Sequence, residues 1–232
     1  MFHPNLHRSV MVQVLLAIYS HPNLRTALGF KGGTAAMLFY DLPRFSVDLD
    51  FDLIDTTKKE LVLREIEEIL RPLGTVRDAT EKRFTLFFLL DYGKDERNLK
   101  IEISKRPTPS NFESRSFLGQ SMLVTSQSDM MACKLAALST RKNFAIRDVF
   151  DMWFFLSEHW EMNEDLVKVK CDLTWRTAIK ESIQRIEKLN QNEILQGLGE
   201  LLTPKQKDWA KDKLVKESIF LLKLYMELRK NS

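Results

Sequence analysis

The sequence predicts an α+β chain, a small mixed sheet with flanking helices followed by a helical C-terminal half. Three observations carry this. Segments with strand patterning, 46–54, 75–79, 84–90 and 99–104, all fall in the first half. Beyond residue 126 the apolar residues recur at helical spacing. Before the strand 46–54 stands Lys31-Gly32-Gly33-Thr34-Ala35-Ala36, a glycine turn that opens a helix. The expected division is an α/β core with an N-terminal helix over 1–119 and a helical domain over 120–232.

The elements follow in order. Residues 4–20 read as a helix: Leu6, Val10, Val14 and Leu15 recur at helical spacing, and Ala17 and Ile18 continue the face. His21-Pro22-Asn23 breaks it, and a short helical turn runs through Leu28 to Gly29. Residues 34–40 form the next helix, stopped by Leu42-Pro43. Residues 46–54 form a strand. Thr56 or Thr57 caps a helix to about residue 70, with Leu61, Ile66, Ile69 and Leu70 inward, and Pro72 and Gly74 end it. Residues 84–90 are apolar on both faces, as in a central strand. The polar turn Tyr92-Gly93-Lys94-Asp95-Glu96 joins it to strand 99–104 in a hairpin. Pro107-Thr108-Pro109-Ser110-Asn111 is a breaker-rich link. Helices follow over 128–142, 146–159, 172–189 and 208–229.

Composition narrows the function classes. The chain is 44% hydrophobic, enough for a real core, and carries a net charge of +3. The excess sits at the C-terminal end: residues 163–232 hold 14 Lys/Arg against 11 Asp/Glu, while the rest balances. A mildly basic tail fits RNA or nucleotide contact, although for any single lysine there a solvated helical surface is the commoner reading. Two cysteines make no disulfide framework, and the four histidines show no His-x-x-x-His spacing, so no zinc site is expected. No signal-peptide pattern and no membrane-spanning apolar run is present, so a cytoplasmic, reduced protein is expected.

The chemistry concentrates around the glycine turn. Two glycines before a helix bring backbone N–H groups close to an anion, and the helix N-terminus favours negative charge. Thr34 caps that helix or adds a hydroxyl to a phosphate. In the strand, alternation places Val47, Leu49 and Phe51 on one face and Asp48, Asp50 and Asp52 on the other. Carboxylates side by side repel, and a divalent cation offsets that repulsion.

The run Gly32–Ala35 followed by Arg44-Phe45-Ser46-Val47-Asp48-Leu49-Asp50-Phe51 resembles the AbiEii/AbiGii toxin family of nucleotidyltransferases. That family pairs a Gly-Gly-Thr-Ala opening with Arg-x-Ser-x-Asp-x-Asp-Phe. The wider superfamily has Gly-Ser before Asp-x-Asp, and Gly33-Thr34 departs from it as this family does. The resemblance covers roughly residues 1–160. It implies a nucleotidyltransferase (polymerase beta-like) fold and a magnesium ion held by Asp48 and Asp50. It also implies a nucleoside triphosphate substrate, a tRNA 3′ end as acceptor, and a role as the toxin of a toxin–antitoxin or phage-defence pair with a cognate antitoxin.

Other candidates follow. Glu102 lies on the polar face of its strand and resembles the superfamily's third carboxylate; the alternative is the wet face of a hairpin. Lys134 lies within the apolar stripe Met131, Leu135 and Leu138, so its ammonium must snorkel or meet an anion, which a nucleotide phosphate supplies. Its Lys-x-x-Ala context resembles a family motif. Arg147-Asp148-Val149-Phe150-Asp151 resembles the family's Arg-Asp-x-x-Asp. Asp148 is preferred for the site over Asp151, which at i+4 from Arg147 suits a helix salt bridge. Arg44 is expected to clamp triphosphate oxygens, and Ser46 to bond a phosphate or orient an aspartate. Gly32, Gly33 and Thr34 complete the nucleotide-binding set. Lys31, Arg141 and Lys142 are not distinguishable from solvated side chains. Two other readings stay open: a nucleotidyltransferase acting on an antibiotic-like small molecule, and a non-catalytic binding module.

Overall fold

The computed structural model describes residues 3–93, 96–107 and 109–229. Parts of the expected turn 92–96 and link 107–111 therefore lie outside the described residues. The chain forms two compact units. The first holds Met1–Asp41 and Ser46–Ser126, the second Leu42–Phe45 and Gln127–Ser232.

The first unit is built on a seven-stranded sheet. Its strands are β1 (Leu28–Lys31), β2 (Asp48–Leu53), β3 (Thr75–Glu81), β4 (Thr85–Asp91), β5 (Leu99–Ser104), β6 (Phe112–Phe117) and β7 (Gln120–Thr125). Their order is β3-β4-β5-β2-β1-β7-β6. The β2–β5 and β1–β7 pairs are parallel and the others antiparallel, so the sheet is mixed. Alternation decides its buried face. Leu49, Phe51, Leu86, Phe88, Leu90, Leu99, Ile101 and Ile103 are all fully buried. Each such side chain contributes roughly 1.5–3 kcal/mol of burial. Helices α1 (Pro4–Ser20) and α4 (Lys59–Leu70) pack on the sheet, and the four-residue turn α2 (Leu24–Ala27) leads into β1. Helix α3 (Gly32–Phe39) packs against β1 and β2.

The differences from expectation have local causes. The segment at Gly29 is strand β1, too short at four residues to show a period. Residues 112–125 form the β6–β7 hairpin, whose half-exposed β6, Phe-Glu-Ser-Arg-Ser-Phe, gives no strong apolar alternation. The division expected at 119/120 falls inside this hairpin. Residues 84–90 do form a strand next to β5, but its burial alternates, one face fully covered and the other partly.

The second unit is helical. Its helices are α5 (Gln127–Thr140), α6 (Ile146–Ser157), α7 (Glu164–Cys171), α8 (Trp175–Glu187), α9 (Pro204–Trp209) and α10 (Val215–Leu228). Helix α5 packs against α6, α7 and α8, and α10 against α6 and α8. The helix expected from 172 starts instead at Trp175. Asp172 adopts left-handed φ 58° and closes α7, and the Thr174 side chain caps α8 by accepting from the Thr177 backbone N–H. The last helical stretch begins at Pro204, where Thr203 and Gln206 form a capping box, and passes through a π-turn at Ala210–Leu214.

Candidate functional site

In the first unit the acidic residues converge by register. Strand β5 lies parallel beside β2, with Asp48 opposite Lys100 and Asp50 opposite Glu102. Adjacent strands stand ~4.8 Å apart, and residues two apart share a face. Asp48, Asp50, Lys100 and Glu102 therefore form one polar patch on the sheet. The Lys100 ammonium bridges it, 3.3 Å from Asp48 Oδ2 and 3.5 Å from Glu102 Oε2. Asp50 makes no ion pair among the described residues. Its own burial and then the charge of Asp48, partly relieved by Lys100, together with that of Glu102, push its pKa up to about 6. Asp52 is accounted for separately: it is buried and salt-bridged by Lys31.

The glycine turn closes on this patch. Gly32 has φ +80°, and a Cβ there would stand 2.7 Å from Asp50 Oδ2. Only glycine combines that backbone with that approach. Gly33, buried, is the second residue of α3. Thr34 is buried and is not the cap of α3, whose N-cap is Lys31. Its hydroxyl contacts the Asp48 carbonyl and lies 2.9 Å from Ser46 Oγ. A carbonyl only accepts, so the Thr34 O–H goes to Asp48 O and the Ser46 O–H donates to Thr34. Both hydroxyls thus tie α3 to the start of β2. His7, unexpected from sequence, does the same from α1. Its Nε2 is 2.8 Å from the Val47 carbonyl and its Nδ1 2.6 Å from Tyr92 Oη. Burial holds its pKa below the ordinary 6.5. The neutral ring then donates from Nε2 to Val47 and accepts at Nδ1 from the tyrosine hydroxyl.

In the second unit a charge network surrounds Lys134. Its Nζ lies 2.6 Å from Asp148 Oδ1 and 2.7 Å from Asp151 Oδ2. Arg44, on the Leu42–Phe45 segment, donates from Nε and Nη2 to the two Asp151 oxygens at 2.5 and 2.7 Å, and from Nη1 to the Phe45 carbonyl. Its side chain is 3% exposed and that of Asp151 0%. Arg141 reaches Asp148 at 3.0 Å. Burial opposes charge on Asp151, yet Arg44 and Lys134 outweigh it and hold its pKa at about 2. Burial likewise opposes charge on Lys134, and Asp148 and Asp151 outweigh it, so the lysine stays protonated. The anion expected beside Lys134 is thus a pair of aspartates. Asp151 is paired with Arg44 and Lys134 rather than with Arg147. The Arg44 guanidinium, expected on phosphate, is buried against Asp151.

A family model described as "Nucleotidyl transferase AbiEii toxin, Type IV TA system" matches residues 13–214. The chain belongs to the AbiEii nucleotidyl transferase toxin family. AbiEii membership makes it a nucleotidyltransferase and implies a nucleoside triphosphate substrate and an antitoxin partner. Two solved structures share the fold. One is a putative nucleotidyltransferase from H. pylori, with TM-score 0.61, 22% identity, and 96% of each chain covered. The other is JHP933 from Helicobacter pylori, with TM-score 0.60, 20% identity, and 98% of this chain and 97% of that one covered. No curated protein matches. No helix among the described residues is long and apolar enough to cross a membrane.

As the side chains of this AbiEii chain stand, no group of three or more His, Cys, Asp or Glu among the described residues closes around a metal position. The donor set nevertheless fits a hard divalent cation. It consists of carboxylate oxygens on adjacent strands, and the central one, Asp50, lacks a counter-ion of its own. Of the residues on this patch the sequence singles out Asp48, Asp50 and Glu102 but not Lys100, whose signal was its place two residues before Glu102. It also missed Arg44–Asp151, a pair 107 residues apart that no local spacing announces.

Proposed function

We propose that this chain is a magnesium-dependent toxin that transfers a nucleotide from a nucleoside triphosphate to the 3′ hydroxyl of an RNA, with a tRNA acceptor end as substrate. One observation carries the reading: the parallel register that sets Glu102 opposite Asp50, beside a glycine turn pressed against Asp50. AbiEii membership supports the toxin role, and the basic excess of residues 163–232 supports a polyanionic acceptor.

Asp48 and Asp50 would hold the magnesium ion, which supplies charge neutralisation for the triphosphate in the transition state. Gly32 keeps the backbone low enough for the Asp50 carboxylate to stay in place. Thr34, Ser46 and His7 fix the strand that carries both aspartates. The acceptor oxygen forms a bond to the α-phosphorus as the bond to the β-phosphate oxygen breaks and pyrophosphate leaves. Glu102, partly exposed, takes the acceptor proton and passes it to water. In the second unit, Lys134 and Asp148 are the residues assigned a functional role, with Arg44 and Asp151 as positioning residues.

The test is incubation with each labelled nucleoside triphosphate, magnesium and total RNA, followed by a denaturing gel. A labelled band of tRNA size is expected, absent with Asp48→Asn or Asp50→Asn. Glu102→Gln should lower turnover by about 10²-fold or more while nucleotide affinity changes little. No labelled RNA, with label instead on a small hydroxylated compound, would replace the RNA acceptor. Full activity of both aspartate variants would end the metal assignment.

A further inference from the structure

We infer that Lys100 is a built-in counter-ion that occupies the cation position of the Asp48–Asp50–Glu102 patch and thereby sets how tightly a divalent ion binds there. The inference rests on the proposed reading of Asp48 and Asp50 as metal ligands.

The placement follows from the strand. Leu99, Ile101 and Ile103 are fully buried, so Lys100 and Glu102 must emerge on the opposite face. The β2–β5 register then puts Lys100 across from Asp48. An apolar-in, polar-out strand needs a polar residue at position 100, but not a cation. A carboxylate there would add a fourth like charge to the patch, and a neutral residue would leave three carboxylates uncompensated. The ammonium bridges the two outer carboxylates, Asp48 and Glu102, and leaves the inner one without a partner. With the lysine in place the four groups carry a formal charge of −2, which a divalent cation balances.

The contacts are loose enough to yield. Neither is shorter than 3.3 Å, whereas the Lys134 ammonium sits 2.6 and 2.7 Å from its two carboxylates. The Lys100 side chain is 31% exposed against 18% for Lys134, so its head can swing to water on a flexible four-carbon stem. A divalent ion bound by Asp48 and Asp50 repels the ammonium and takes over its carboxylate. A monovalent ion brings no more charge than the tethered ammonium, which is held at high local concentration. Lys100 therefore makes the patch selective for divalent cations, and it lowers their affinity in doing so.

The experiment is titration of the full chain with Mn²⁺, followed by the free-ion EPR signal and by melting temperature with and without the metal. Lys100→Met keeps the stem and removes the charge. It should bind Mn²⁺ about tenfold tighter or more, the scale on which one neighbouring charge shifts ion affinity. It should also melt lower than wild type in EDTA and gain more on adding metal. Lys100→Arg keeps the charge and should bind as wild type does. Should Lys100→Met prove too unstable without metal, Lys100→Gln serves with the same expectation. Equal or weaker Mn²⁺ binding by both neutral variants, while Asp48→Asn still abolishes binding in wild type, overturns the role of Lys100 alone. Wild-type binding that survives Asp48→Asn and Asp50→Asn, or no saturable binding by wild type and Lys100→Met alike, overturns the metal assignment and the inference with it.

Discussion

Asp50 and Glu102 stand directly opposite each other in the parallel β2–β5 pair. The pairing concentrates negative charge around Asp50, whose neighbours Asp48 and Glu102 add to the cost of its burial. The metal-free protein bears that cost.

Asp50→Asn should therefore stabilise the metal-free chain. A carboxyl raised from its ordinary 3.8 to about 6 is protonated in both folded and unfolded states at pH 3. As pH climbs between those values the unfolded state ionises first and folding is penalised. Above pH 6 the penalty is complete. Melting curves in EDTA should show Asp50→Asn matching wild type near pH 3.5 and exceeding it by several degrees at pH 7.5, at roughly 2–4 °C per kcal/mol for a chain of this size. Equal melting temperatures at pH 7.5 would mean that Asp50 is not strained by its neighbours.

Gly32→Ala should act in the opposite direction. The φ of +80° disfavours any L-residue, and the added methyl meets the Asp50 carboxylate at 2.7 Å. A loss of about 1–2 kcal/mol is expected from the backbone alone. Displacement of Asp50 should also weaken Mn²⁺ binding. Gly119, likewise at φ +80° but with nothing near its missing Cβ, is the control. Gly119→Ala should cost similar stability and leave metal binding alone.

Much of this was legible in the sequence, and the limits are physical. Strict alternation from Val47 to Phe51 and from Leu99 to Ser104 fixes which way each carboxylate points, because one face of each strand is buried without exception. Register between strands is not a local property, so the Asp50–Glu102 pairing waited for the structure. Thr34, Ser46 and Arg44 show a different limit. Each sits in a motif that suggests phosphate contact, yet each is buried with its polar atoms turned to protein groups. Motif spacing gives the neighbourhood of a side chain but not its partner. His7 had no motif at all: its bonds to Val47 and Tyr92 reach 40 and 85 residues along the chain.

His7 supplies a pH dependence. Burial favours its neutral form in the folded state and outweighs the Val47 carbonyl; the Arg97 charge also opposes protonation, Asp48 and the Arg97 backbone favour it, and Tyr92 lies against its Nδ1. With its folded pKa below the unfolded 6.5, its contribution is complete above pH 6.5 and is lost as pH falls below that value. Glutamine can donate to Val47 and accept from Tyr92 without titrating. His7→Gln should thus be less stable than wild type at pH 8, by about 1–2 kcal/mol for imperfect hydrogen bonds, and the gap should narrow towards pH 5. Denaturant titrations at three pH values decide it. A constant gap would show that His7 does not exchange protons on unfolding in that range.

Lys134 can be removed without leaving a bare charge, and this separates function from folding. In Lys134→Ala, Asp151 keeps the bidentate Arg44 and Asp148 keeps Arg141. Asp151→Asn is different: it strips the buried Arg44 of its carboxylate partner and leaves Lys134 with Asp148 alone. Breaking one side of a buried pair costs about 3–5 kcal/mol. Lys134→Ala should accordingly stay folded at ordinary temperature, with near-native circular dichroism, while Asp151→Asn melts far lower or accumulates poorly. Expression of the wild-type chain in a bacterial host should slow growth, and Lys134→Ala at equal protein level should relieve it. Growth inhibition that survives in a folded Lys134→Ala would confine this lysine to the ion-pair network. Relief in Asp151→Asn carries no such meaning unless the variant is recovered folded, which is why the lysine, whose removal leaves each aspartate an arginine, is the position to test.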